Sequence, residues 1–145
     1  MSRSLTMLFA LIAYAIFFAT FLYLIAFVGN IAVVPRTVDS GPAAAPATAL
    51  VINLGLIALF GLQHSIMARK GFKAWWTRVV PEPAERSLYV LMASAALIIL
   101  FSFWRPIDAT IWSVTNPLAE TVLWALFALG WAIVRDQSIV APSRR

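Results

Sequence analysis

Charge-free apolar runs divide the chain. From residue 4 to residue 35, between Arg3 and Arg36, no charged side chain occurs. A helix rises about 1.5 Å per residue and a bilayer's hydrocarbon core is about 30 Å thick, so a crossing needs roughly 20 apolar residues. The first run is long enough to span with tilt or to continue as helix beyond the lipid. It is too long for the core of a secretory signal, which is about 7 to 15 residues. The Ala-rich stretch near residues 43–47 imitates a cleavage site, but the span is read as retained. Gly41, Pro42 and Pro46 mark residues 39–47 as a connection.

A second apolar run covers residues 48–67 and stops at Arg69 and Lys70. A third, residues 87–104, carries no charge and stops at Arg105-Pro106, close to the minimum length for a span. The fourth is interrupted by Pro117 and Glu120, and residues 121–134 alone are too short to cross. Adding residues 111–120 completes a crossing at the cost of bringing Glu120 near the membrane. The pattern predicts an all-α, polytopic helical membrane protein with three clear transmembrane helices and a truncated fourth. One transmembrane domain covers residues 1–134, and residues 135–145 are expected to form a disordered charged tail. An apolar helix giving way to so short a charged tail resembles a truncated or frameshifted reading frame.

Composition agrees with lipid as the main solvent. The chain is 62% hydrophobic and 12% charged, whereas soluble domains carry about 25% charged residues. Its net charge of +5 does not form a basic face for nucleic acid, and no nucleic-acid partner is expected. Arg69, Lys70, Lys73, Arg78 and Arg86 instead crowd one segment, with Trp75 and Trp76 among them. Bases interleaved with indoles suit the headgroup zone. With Arg3, Arg135, Arg144 and Arg145 on the same side, only Arg36 and Arg105 fall on the other. Because Lys and Arg accumulate on the cytoplasmic side, both termini and residues 68–86 are expected in the cytoplasm, the chain lying in a bacterial inner membrane.

Candidate chemistry is sparse. No cysteine is present, which removes disulfides and thiolate sites, and a single histidine excludes haem held by two histidines of one chain. No metal site is expected. Asn53, Ile57, Phe60 and His64 follow offsets of 4, 7 and 11, which places them on one helix face predicted to point into the bundle. His64 is either a helix-end histidine bonded to a neighbouring helix or a headgroup, or a substrate-pocket residue able to exchange protons near neutrality. Asn53, Gln63, His64, Arg69, Glu85, Arg86 and Tyr89 are the pocket or interhelical candidates. For Arg69 the alternative is a base that sets topology, and for Glu85 and Arg86 it is the ordinary start of a helix.

The ordered series Gly61-Leu62-Gln63-His64-Ser65-Ile66-Met67-Ala68-Arg69, Phe72-Lys73-Ala74-Trp75-Trp76, Pro81, Glu85-Arg86-Ser87-Leu88-Tyr89-Val90-Leu91 and Trp104-Arg105-Pro106 resembles the amino-terminal half of bacterial methanethiol S-methyltransferases. These are nurim-family proteins, distantly related to isoprenylcysteine carboxyl methyltransferases. The resemblance implies transfer of a methyl group from S-adenosylmethionine to a small thiol, methanethiol, giving dimethyl sulfide. It also implies that the cofactor site is built largely by a carboxy-terminal half marked by an Arg-His-Pro-x-Tyr stretch and paired glutamates, and neither occurs in this sequence. The alternative is a non-catalytic structural or interaction protein of the membrane, as nurim is usually regarded. Oligomeric state is not legible.

Overall fold

The computed structural model describes residues 3–136, so residues 137–145, which hold most of the expected tail with Arg144 and Arg145, lie outside the described residues. Among the described residues there are five α-helices: α1 (Arg3–Val28), α2 (Pro46–Met67), α3 (Lys70–Trp76), α4 (Glu82–Phe103) and α5 (Pro117–Arg135). Four of them, all but α3, are long and apolar enough to cross a membrane. The chain divides into two compact units, Met1–Asp108 and Ala109–Arg145.

The first helix stops well short of Pro35. Asn30 has a φ of 50°, a left-handed conformation that Asn tolerates better than most residues. The N–H of Ile31 then bonds Ala26 O at 2.9 Å, and that of Asn30 bonds Phe27 O at 3.3 Å. This is the Schellman arrangement, which closes a helix by satisfying its last carbonyls. Residues 31–45 return over the end of α1, where Val38 N donates to Phe27 O at 3.0 Å. The Asn30 side chain holds this connection by donating to Asp39 and accepting from Thr37.

Prolines set the other starts. Pro46 opens α2, and α4 follows Pro81, positions where a missing N–H costs nothing because the first helical donors lack partners in any case. The fourth apolar stretch forms a 19-residue helix from Pro117, earlier than residue 121 and including Glu120. Asn116 explains the early start, since its side chain accepts from the N–H groups of Leu118 and Ala119. Glu120 lies in the first turn, where a carboxylate meets the positive end of the helix dipole.

Within Met1–Asp108, α4 packs against both α1 and α2. It runs parallel to α1, since Phe27 and Phe101 meet near their carboxy-terminal ends with ring centroids 5.0 Å apart, and antiparallel to α2. Small buried residues, Ala13 and Thr20 on α1 and Ala93, Ser94 and Ala96 on α4, let backbones approach where lipid supplies no hydrophobic drive between helices. The apolar core of Phe27, Leu56, Leu97, Leu100 and Phe101, with Tyr23 and Trp104 against it, lies toward the end opposite the basic segment.

That end is also where polar groups are satisfied. Asn53 is buried, donates through Nδ2 to Arg105 O at 2.7 Å, and accepts through Oδ1 from Arg105 N at 2.9 Å. Arg36 donates to Ser102 O at 2.7 Å, and Trp104 Nε1 to Val38 O at 2.9 Å. The Ser102 carbonyl in the last turn of α4 and the Arg105 main-chain groups just past it thus find partners without water.

Asn53→Leu is expected to strand the Arg105 main-chain groups and lower stability by about 2 kcal/mol. Interhelical bonds in membranes average only about 0.6 kcal/mol, so a loss above that value separates stranded groups from an ordinary polar contact. Val51→Ala and Leu62→Ala, at sites 71% and 60% exposed, should change stability by no more than about 0.5 kcal/mol. Thermal melting in one detergent checks all three.

Candidate functional site at the basic end

The opposite end of the three-helix unit collects the remaining candidates. Because α2 and α4 are antiparallel, the last turns of α2 meet the first turns of α4, and α3 packs on α2 beside them. His64 from α2 and Tyr89 from α4 come together here: the phenol oxygen is 2.9 Å from Nδ1 and 3.2 Å from Nε2. Only one ring nitrogen can partner the hydroxyl at a time, which leaves the other for a second group. The imidazole is flanked by Phe60 on its own helix, with centroids 5.6 Å apart, and by the Tyr89 ring at 5.5 Å.

Glu85 lies one turn before Tyr89 on α4, so the two share a face. Its carboxylate is 3.5 Å from Lys73 Nζ of α3 and only 12% exposed, whereas the Lys73 side chain is 53% exposed. Exposure of the cation limits such a pair to about 0–1 kcal/mol, and its structural effect is to tie α3 to the start of α4. Phe72, Trp75 and Trp76 form an aromatic cluster on α3, with Phe72 and Trp76 stacked. Gln63 donates through Nε2 to Met67 Sδ at 3.1 Å, a weak acceptor. Gln63 Oε1 and Trp76 Nε1 are both shielded and without a hydrogen-bond partner among the described residues.

The seven candidates therefore separate. Gln63, His64, Glu85 and Tyr89 lie at the basic end. Asn53, 11 residues before His64, is about 16 Å away along α2 and serves the far end. Arg69 is the residue before α3 and, like Arg86, is exposed. On the shared α2 stripe, Asn53 is buried and Phe60 half-buried, while Ile57 and His64 are exposed. His64 reaches α4 from the edge of the helix pair rather than from its interior. Lys73 and Trp76 were not among the candidates. Lys73 meets Glu85 across the break between α3 and α4, and no periodic spacing signals a contact of that kind.

Among the described residues no group of three His, Asp or Glu side chains can hold a metal ion. What the cluster offers is an imidazole, a phenol beside it, and shielded donor and acceptor atoms that lack partners among the described residues. This is a polytopic helical membrane protein with one of its polar clusters at the basic end of α2 and α4.

The chain is a homologue of the methanethiol S-methyltransferases. It is 52% identical over 134 residues to the methanethiol S-methyltransferase of Mycobacterium tuberculosis, covering 92% of this chain and 54% of that protein. With the enzyme of the same name from Crocosphaera subtropica it is 47% identical over 134 residues, covering 92% of this chain and 52% of the relative. Nurim of Bos taurus is more distant, 34% identical over 59% of this chain and 34% of its own length. The chain spans about half the length of the curated methanethiol S-methyltransferases it matches. No family model matches it, and no solved structure is a significant match.

Replacing Gln63 by Met removes a shielded acceptor that lacks a partner. It should leave thermal stability unchanged or slightly raised, because an unsatisfied buried polar group costs about 1–3 kcal/mol. A loss of more than about 1 kcal/mol in detergent melting would mean that Gln63 Oε1 is bonded within the folded chain.

Proposed function

We propose that the chain forms the membrane scaffold and thiol-binding side of a methanethiol S-methyltransferase, with His64 accepting the thiol proton and Tyr89 holding the imidazole. The single observation that carries this reading is the His64–Tyr89 contact between α2 and α4. It lies within a chain that is about half identical to enzymes of that name. A thiol is a poor nucleophile until it loses its proton, and the thiolate is the reactive form. Histidine can take that proton near neutral pH. With the Tyr89 hydroxyl on one ring nitrogen, the other can face a thiol; the S–H bond breaks, the proton moves to the ring, and the sulfur keeps the electron pair that would bond the methyl as the carbon–sulfonium bond of the donor breaks and its electrons leave on the neutral thioether. Phe60 and the surrounding lipid limit water, which favours a small apolar thiol over larger polar ones.

S-adenosylmethionine is the methyl donor that the resemblance implies. The side chains at this end do not fit it by themselves. Arg69, Lys70, Arg78 and Arg86 are exposed cations, ill-suited to a sulfonium, and the Glu85 carboxylate is taken by Lys73. The donor's contacts in this reading come from the part of the relatives' length that the chain does not span. Similarity to nurim supports the second reading, a non-catalytic membrane role.

The 145-residue chain alone is expected to make no dimethyl sulfide from methanethiol and S-adenosylmethionine, measured in the headspace against a no-protein blank. Fusion after Val134 to the remaining half of a relative should restore turnover. In that fusion His64→Ala should lower the rate by about 100-fold, as expected for loss of a general base, while Tyr89→Phe keeps a larger residue of activity. Turnover by the chain alone would relocate the donor site, an inactive fusion would favour the non-catalytic reading, and a fully active His64→Ala fusion would remove the histidine from the mechanism.

The basic end is proposed to face the cytoplasm, supported by the one-sided distribution of Lys and Arg. Since the chain has no cysteine, Arg78→Cys provides a single label site. It should resist an impermeant thiol reagent applied outside intact cells and react once the cells are opened. Labelling from outside reverses the orientation.

A further inference from the structure

A groove of about 500 Å³ opens between α1 and α4 near the end opposite the basic segment, and nothing in the methyl-transfer reading uses it. Ala19, Thr20 and Tyr23 of α1 and Ile98 and Phe101 of α4 line it, with Arg36 at its rim. Ala19, Ile98 and Phe101 make much of its wall apolar. Thr20 and Ser102 turn their hydroxyls back to the carbonyls of Ile16 and Ile98, so neither asks for a polar ligand. At hydrocarbon depth water is a poor filling for such a groove, and an acyl chain fits its shape and chemistry.

The rim is different. Residues 31–45 bend back so that Arg36 lies beside α1 rather than beyond it, its carbonyl accepting from the Tyr23 hydroxyl at 3.2 Å. Tyr23 is five residues before the end of α1, about 8 Å inside the helix terminus. Arg36 spends one of the five N–H donors of a guanidinium on Ser102 O. Its other donors and its charge remain at the rim of the groove. A cation at the rim of a largely apolar slot between two membrane helices is complementary to a phosphodiester above an acyl chain.

We propose that this groove is a binding site for one anionic phospholipid, with an acyl chain between α1 and α4 and the phosphodiester on Arg36. The inference is independent of the methyl-transfer reading. The lipid fills the gap beside the narrow small-residue contact of α1 with α4, and its phosphate neutralises a base on the side of the membrane that holds few.

The 145-residue chain in nanodiscs of equal phosphatidylglycerol and phosphatidylcholine, released into mild detergent, allows bound lipids to be counted by native mass spectrometry. One lipid per chain should be retained, with phosphatidylglycerol preferred about five-fold, the factor expected for one basic residue near an anionic surface. Arg36→Gln should equalise the two lipids, and Arg36→Lys should keep the preference because it keeps the charge. Ala19→Trp, at an exposed wall position, should reduce retention of both lipids while Arg36 stays in place. Arg78→Gln, at the other end, should change neither result. An unchanged preference in Arg36→Gln, or one lost in Arg78→Gln instead, overturns the proposal, as does retention indifferent to Ala19→Trp. A lipid-free dimer would assign the groove to a second copy of the chain and also overturn it.

Discussion

The end of α4 is the constraint on which the three-helix unit depends. Lipid offers no hydrogen bonds, so a helix that stops near it must have its open carbonyls met by protein. Here two segments make three contacts: α2 through Asn53, and the α1–α2 connection through Arg36 and through Val38, which accepts from Trp104. Together they tie two pieces of chain to one terminus, and the aromatic core of Phe27, Phe101 and Trp104 lies among them. The antiparallel placement of α2 follows, and with it the meeting of His64 and Tyr89 at the far end.

The two ends of the bundle consequently differ in kind. One has its main-chain groups paired over a packed core, with Arg105 Nε the one shielded side-chain atom there that lacks a partner among the described residues. The other has an exposed imidazole, a half-exposed ion pair, and two shielded polar atoms without partners. Chains commonly concentrate unsatisfied groups where a ligand or partner is to be met, and support them with a rigid region elsewhere. The basic end has that character, which is why the methyl-transfer reading is placed there and not in the groove under Arg36.

Much of this was legible in the residues. Spans appear as charge-free runs because lipid tolerates little else, and the breaks at Pro46, Pro81 and Pro117 mark helix starts through the chemistry of proline. The end of α1 was harder to see, since residues 31–34 continue the charge-free apolar run; it is decided by the left-handed backbone at Asn30 and by a return loop stitched to Phe27. For the site, a helical stripe rightly grouped Asn53 with the bundle, but periodicity says nothing of what a side chain meets. The partner of Asn53 is main chain, which has no sequence signature, and that of Glu85 comes from across a helix break. Depth along the helix, more than face, separated the structural asparagine from the exposed histidine.

The Asn53 clasp also has a history in time. Its partner follows it by 52 residues, so α2 is made long before the residue it will hold. At about 5–20 residues per second, a ribosome takes roughly 3–10 s to supply that length. Throughout this interval the amide has none of its final bonds, and it must be kept wet or lodged against some other polar group. The end of α2 that bears Asn53 therefore settles last, and the arrival of α4 is the event that makes its place in the membrane permanent.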